Sequence, residues 1–216
     1  MQLNRLPASE QIFEDIVQKI RTRKILPGEK LVIKKLEEEY QVSSTPVRDA
    51  LSQLKSFGFI EAKCSSTATV IQMSPAERRD VVELNKELTD MSFRLIMKNH
   101  RIEQVREKMR PLYQKQMELR DAAFSERIAA YIEFVNIPGQ NTGNSYYSTM
   151  IGTLLGKSIV AFGDYSEVYD PDLALENSRQ MMEALDQEDW ERFGELRHYM
   201  MDCFSELLER EEREEK

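Results

Sequence analysis

At 216 residues, the chain has room for one large domain or two small ones. An apolar content of 41% can supply a core, and no apolar run reaches the roughly 18 residues that a membrane span needs. The formal net charge of −8 argues against a uniformly basic nucleic-acid binder.

The charge is unevenly placed. Through Met73 there are 11 Lys and Arg against 9 Asp and Glu, and the remaining 19 basic and 29 acidic residues follow Ser74. This pattern suits a mildly basic binding domain, 1–73, joined to an acidic partner domain, 74–216. Met1 is followed by Gln-Leu-Asn-Arg, not by the basic and apolar regions of a secretion signal. Two cysteines, Cys64 and Cys203, read as reduced thiols, so a cytoplasmic protein is expected.

The first predicted helix runs from Ala8 to Arg23, with Ile12, Ile16 and Ile20 on one face beside Phe13 and Val17. Pro27-Gly28 makes a turn. Leu31 to Ile33 is β-prone, and a second helix continues to Tyr40 with Leu36 and Tyr40 inward. Gln41-Val42 leaves space only for a tight turn. Ser43 is a good N-cap, and Pro46 falls in a first helical turn, where its missing N–H breaks no bond. Val47, Ala50, Leu51 and Leu54 are spaced to pack inward, which leaves Ser44, Thr45, Arg48 and Ser52 outward. Two short helices joined by a tight turn, the second with a polar N-terminal face, form a helix-turn-helix pattern. Gly58 ends that helix. Strands are predicted over 59–63 and 68–72, around a tip of Cys64, Ser65, Ser66 and Thr67.

The motif Leu26-Pro27-Gly28-Glu29-Lys30-Leu31, followed by Val42-Ser43-Ser44-Thr45-Pro46-Val47-Arg48-Asp49-Ala50-Leu51, Leu54 and Gly58, resembles the winged helix-turn-helix of GntR-family transcription regulators. The resemblance implies that the Pro46 helix enters the major groove and that the hairpin tip approaches the minor groove. It nominates Ser43, Ser44, Thr45, Arg48, Ser52, Lys63, Ser65, Ser66 and Thr67 as DNA-binding residues. Two positions depart from the family pattern. Ser44 stands where an arginine is usual, and the tip lacks the usual glycine, so base preference should differ from that of relatives.

Ser74-Pro75-Ala76-Glu77 is a capping box. Beyond it, helices are predicted over 75–98, 102–122 (bent or broken near Pro111), 124–136, 145–162, 171–186 and 189–211, with one long loop from Asn136 to Asn144. Tyr147, Met150, Ile151, Leu154, Leu155, Ile159 and Phe162 give 145–162 a wide apolar face. Gly152 and Gly156 permit close packing, and this helix is expected at the centre of the bundle. The expected fold is therefore mainly α: an N-terminal winged helix-turn-helix with a small β-hairpin, then a C-terminal antiparallel all-α bundle. Such a bundle resembles the ligand-sensing branch of the FadR subfamily.

Many bundles of that branch hold a metal with one aspartate and three histidines. Only His100 and His198 are present in this chain. The family's ligand positions fall on Tyr131, Val135, Ser178 and on or near Met200, so no metal and no cofactor is expected. His198 lies roughly 150° from the centre of the apolar face of the last helix and should face solvent or a partner. Tyr131 and Ser178 place hydroxyls on inward faces. These need partners, either inside the protein or on a bound effector. Tyr131, Val135, Ser178 and Met200, with Arg94, Asn85 and Asn177 as anchors, are the candidate effector site, and the resemblance points to a carboxylate or acyl compound. Cys64 has no nearby cation cluster or second thiol, which leaves it an ordinary cysteine. No nucleophile–base pair, phosphate loop or zinc spacing marks an enzyme.

The sequence thus reads as a homodimeric DNA-binding regulator, a repressor by the family's usual habit. It should bind a near-palindromic double-stranded operator and lie apart from any membrane, with its DNA affinity modulated by a small molecule. Two alternatives stay open: a regulator whose bundle only dimerises, and a metal-binding protein with an accessory DNA-binding domain.

Overall fold

The computed structural model describes residues 6–64, 66–163 and 168–214, except for the side chains of 62–64. These residues divide into two compact units. The first joins the N-terminal segment through Arg78 to Gly152–Asp164, and the second contains Arg79–Ile151 and Tyr165–Lys216. No helix is long and apolar enough to cross a membrane among the described residues.

In the first unit the order is α1 (Ala8–Arg21), β1 (Lys30–Val32), α2 (Ile33–Tyr40), α3 (Ser44–Ser56), β2 (Ile60–Cys64) and β3 (Thr67–Val70). Helix α1 buries Ile12, Ile16 and Ile20, while α3 buries Val47, Ala50, Leu51 and Leu54. These side chains merge with Leu36, Phe59 and Val70 into one core. The Pro27-Gly28 turn brings Glu29 N within 3.0 Å of Leu26 O. Gly28 sits at φ +83°, as the second central residue of such a turn requires. Gly58 (φ +74°) ends α3, with Phe59 N bonded to Leu54 O and Gly58 N to Lys55 O.

The expected hairpin is a three-stranded antiparallel sheet in the order β1-β3-β2. Leu31 lies opposite Ala68, and Ile60 opposite Val70. The β-prone Leu31 segment is short, and its strand character comes from pairing with β3. Lys19 ties α1 to α2. Its Nζ lies 2.7 Å from Asp15 and 2.5 Å from Glu39, and the Tyr40 hydroxyl donates to Asp15 at 2.5 Å.

The second unit is all helical among its described residues: α4 (Pro75–Lys98), which starts in the first unit, then α5 (Ile102–Glu118), α6 (Phe124–Gln140), α7 (Ser145–Phe162), α8 (Pro171–Asp186), α9 (Trp190–Leu196) and α10 (Tyr199–Glu214). The capping box forms as expected: Glu77 Oε2 accepts from Ser74 N at 2.8 Å and from Ser74 Oγ at 2.7 Å. Helices α5, α6 and α8 pack on one another. Ile96, Met109, Phe134, Met181, Leu185 and Phe193 share their core.

Three local expectations change. Helix α5 runs through Pro111 as one element. Helix α6 continues through Pro138 to Gln140, which absorbs the first half of the expected loop. The expected last helix is broken at Arg197-His198, where Arg197 N and His198 N bond three residues back, to Gly194 O and Glu195 O. Helix α7 also departs from its expected central place. Residues 152–162 join the winged-helix unit, and Met150 is 45% exposed.

Candidate nucleic-acid interface and effector site

Helix α3 separates its faces cleanly. Val47, Ala50 and Leu54 are wholly buried, whereas Thr45, Arg48 and Ser52 are exposed and Ser44 is half-buried. Burying the apolar stripe fixes the helix axis. The polar stripe lies on the opposite side and faces outward. Ser43 occupies the N-cap position with extended backbone (φ −72°, ψ 171°), but its side chain makes no capping hydrogen bond. The expected cap is thus positional only, and the exposed Ser43 hydroxyl is not committed to the helix end. Ser66 is exposed and Thr67 half-buried at the tip between β2 and β3. Lys63 lies in β2, but its side chain and the whole of Ser65 fall outside the described residues.

The residues nominated for an effector divide into a cluster and outliers. Tyr131, 2% exposed, donates from its hydroxyl to Asn177 Oδ1 at 3.1 Å. Asn177 Nδ2 donates to Leu196 O at 3.0 Å. Ser178, fully buried, donates to Gln116 Oε1 at 3.0 Å. Arg94 is exposed on α4 and takes no part in this cluster. Asn85 is buried but spends its amide on Val81 O, one turn back along α4. Val135 packs against the apolar core of the unit, and Met200 is half-buried.

Four residues join the cluster that sequence reasoning did not nominate: Gln116, Tyr169, Tyr199 and Cys203. Tyr131 stacks against Tyr169 and Tyr199 at centroid distances of 5.1 and 6.4 Å. Gln116 had a signal, because it continues the inward stripe of Val105 and Met109 on α5. Tyr169 precedes α8 in irregular chain, where no periodicity reveals its direction. Gln116 Nε2 is buried without a hydrogen-bond partner, and the buried Tyr169 hydroxyl has the Tyr131 hydroxyl as its neighbour. Tyr169 also lines an open cleft of about 830 Å³ with Phe124, Asp170, Glu206, Arg210 and Arg213.

Burial pushes the Tyr131, Tyr169 and Tyr199 hydroxyls and the Cys203 thiol above their ordinary ranges. All four stay protonated near neutral pH. The cluster is therefore a neutral hydrogen-bonding environment. Tyrosine, valine, serine and methionine, the residues that the expected alignment puts at ligand positions, are not a donor set that fits a divalent ion. Among the described residues, no three His, Cys, Asp or Glu side chains form a metal-sized group.

His198 meets a partner within the chain. It is about a quarter exposed, and its Nε2 lies 2.8 Å from Asp90 Oδ1. The break at 197–198 turns both side chains toward α4. Arg197 Nη2 donates to Thr89 O at 2.6 Å and to Ser92 Oγ, and its guanidinium lies over the Phe93 and Phe193 rings at 5.8 and 5.7 Å. Burial lowers Arg197 to about 10, still charged at neutral pH.

Residues 8–70 match the family model of bacterial regulatory proteins, gntR family. The N-terminal unit carries a GntR-type winged helix. The GntR-type segment spans α1 through β3, the elements that place Arg48 outward. No curated protein matches the chain in sequence.

Solved structures match over nearly the whole length. McbR/YncC of E. coli is 22% identical with a TM-score of 0.68, covering 96% of this chain and 99% of that one. Lar, which controls expression of the agr system of Listeria monocytogenes, is 17% identical with a TM-score of 0.60, covering 97% and 99%. A Rhodococcus sp. RHA1 protein assigned as a GntR transcriptional regulator is 13% identical with a TM-score of 0.68, covering 93% and 97%. At these identities the likeness shows a shared fold: a winged helix followed by a helical domain.

Proposed function

We infer that the chain is a DNA-binding transcription regulator that acts as a homodimer, with small-molecule sensing in its C-terminal helical unit. The observation that carries the DNA-binding part is the split of α3, which buries Val47, Ala50 and Leu54 and presents Thr45, Arg48 and Ser52. Arg48 is the base-reading or phosphate-gripping residue, and Ser43, Ser44, Thr45, Ser52 and Ser66 position the helix and tip on the backbone. The assay is selection of duplexes from a randomised library, followed by titration at fixed salt. Failure of the wild-type protein to enrich any duplex refutes this reading.

A single winged helix reads few base pairs, so a two-fold pair reading a near-palindrome supplies specificity. The C-terminal unit offers a surface for such pairing. Leu84 and Met91 on α4 and Tyr146 and Met150 on α7 are large, apolar and exposed. Their helices are neighbours, because Tyr147 OH donates to Leu88 O at 2.8 Å. Sedimentation of the wild-type protein and of Leu84→Glu tests this surface. A monomeric wild type, or a fully dimeric Leu84→Glu, removes it.

Sensing is favoured by Gln116 Nε2, buried without a hydrogen-bond partner, since an acceptor-bearing ligand would supply the missing bond, and by Tyr169, which joins this cluster to the wall of the cleft. A carboxylate or acyl compound has the needed acceptors. The second reading, a bundle that only dimerises, is favoured by the internal pairing of Tyr131 with Asn177 and of Ser178 with Gln116. A thermal-shift screen of organic acids and acyl esters decides between them. A hit that Tyr169→Phe or Gln116→Leu abolishes supports sensing, whereas a screen without hits supports the dimerising bundle. Repression is the expected output, and it is read from transcription of a reporter behind the selected operator.

A further inference from the structure

Arg197 is a buried cation without a counter-charge. The break between α9 and α10 turns it onto α4, where Nη2 donates to Thr89 O at 2.6 Å and to Ser92 Oγ. Its Nη1 is sealed from solvent and has no hydrogen-bond partner. The guanidinium lies over the Phe93 and Phe193 rings at 5.8 and 5.7 Å, and the Trp190 ring stands 6.4 Å from that of Phe93. These rings keep water from the charge. Asp90, the acid whose charge reaches Arg197, is held by His198 Nε2 at 2.8 Å. All of these residues belong to the second unit. A buried guanidinium arm left unpaired costs stability, and such a cost is characteristic of places where a bound group offsets it.

Two acceptors fix the arm that carries Nη2. Ser92, wholly buried, donates its own hydroxyl to Thr89 O at 2.7 Å, so its oxygen is left to accept from Arg197. Tyr147, 2% exposed, spends its hydroxyl hydrogen on Leu88 O at 2.8 Å. The donor left over at this place is Nη1, and an anionic oxygen is the chemistry that fits it. The flanking rings favour an apolar or aromatic body behind that oxygen. The Tyr131 cluster has the opposite character. Its hydroxyls are neutral, and Asp170, Asp202 and Glu206 place negative charge beside Tyr199 and Cys203. Arg210 and Arg213 stand in the open cleft beside Tyr169, exposed to water that screens them.

We propose that Arg197 binds the carboxylate of an organic monoacid, with Phe93, Phe193 and Trp190 against the acid's apolar body. Such a role for Arg197 rests on the reading of the helical unit as a sensor, and it places the ligand's charge away from Gln116 and Tyr131. A carboxylate oxygen accepts from Nη1 while Thr89 O and Ser92 Oγ keep Nη2, so the charge is neutralised and the anchors stay in place. The amide of the same acid brings the oxygen without the charge, and it binds more weakly.

The test uses the full chain with benzoate, phenylacetate and octanoate, each beside its primary amide, followed by melting curves and calorimetric titration. At least one acid should bind the wild type about tenfold or more tighter than its amide. Arg197→Met should weaken that acid about tenfold to a hundredfold, the equivalent of one charged hydrogen bond, and leave the amide unchanged. Arg197→Lys keeps the charge without the planar fork and should fall between the two. Gln116→Leu should bind the acid as the wild type does. A purely structural Arg197 gives a different result: its replacement lowers the ligand-free Tm but leaves the acid's increment intact, which overturns the proposal. Acid binding that survives Arg197→Met, or that Arg210→Ala abolishes, also overturns it, and so does a wild type that binds an amide but no acid. In these cases the sensing reading stands. If neither acids nor amides bind the wild type, the sensing reading falls and the proposal falls with it. Should Arg197→Met fail to fold, Arg197→Lys and the wild-type comparison of acid with amide decide alone.

Discussion

Replacing Tyr131 by phenylalanine removes one hydroxyl from the neutral cluster. The ring stays, so no cavity opens, and the perturbation is the loss of the hydroxyl that donates to Asn177 Oδ1 at 3.1 Å. At 2% exposure, no water can replace that donor without rearrangement. A buried acceptor left unpaired costs about 1–3 kcal/mol. Asn177 keeps its other bond, to Leu196 O, and the loss of the Tyr131 hydroxyl removes its own desolvation cost, so the expected loss is about 1–2 kcal/mol. For a protein of this size that lowers Tm by about 2–8 °C. Because burial holds the Tyr131 hydroxyl protonated, the effect should be the same at pH 6 and pH 9. The assay is urea unfolding of Tyr131→Phe, Asn177→Ala and the double variant, with the pair term read from the cycle. An unchanged or raised stability in Tyr131→Phe refutes the argument. A cycle with no pair term would show that the two residues do not depend on one another.

Arg48→Ala should weaken duplex binding by about 1–3 kcal/mol if the contact is bidentate to a base, with the dimer intact by sedimentation. Unchanged affinity at fixed salt would take Arg48 out of the interface. Leu54→Ala, at a position with no exposure, should cost about 2–5 kcal/mol of winged-helix stability by urea unfolding, and a loss under 1 kcal/mol would contradict its core role. Burial first, and the hydrogen bond to Asp15 second, push Tyr40 up to about 12. A folded value above the unfolded one, near 10, gives a contribution that is complete below pH 10 and lost as pH rises toward about 12. Tyr40→Phe should therefore flatten the alkaline limb of the stability curve, and an unaltered limb would count against the Asp15–Tyr40 bond.

Much of the winged helix was legible in the chain because its information is local. Ile12, Ile16 and Ile20 repeat every fourth residue and are all buried. Pro27-Gly28, Gly58 and the Ser74–Glu77 box each carry their own backbone preference, and each sits where a turn or cap forms. The pairing of β1 with β3 was not legible, because a strand of three residues has too little pattern to name its partner. The effector cluster was half legible. The inward positions of Tyr131 and Ser178 follow from helical period, but their partners Asn177 and Gln116 depend on how α5, α6 and α8 pack.

The sequence by itself determined the order of helices and the inward stripe of α3, since these depend on residue type and near-neighbour spacing. Tertiary structure alone decided where the second half of α7 packs. Gly152 and Gly156 announce close packing in any sequence, but only the folded chain shows that the surface they approach is Phe57, at the end of α3. Tertiary packing also broke the last helix at Arg197-His198, turning those side chains onto Thr89, Ser92 and Asp90 about a hundred residues earlier in the chain. A contact across that span leaves no mark in local periodicity, because the energy that selects it comes from surfaces that meet only after folding.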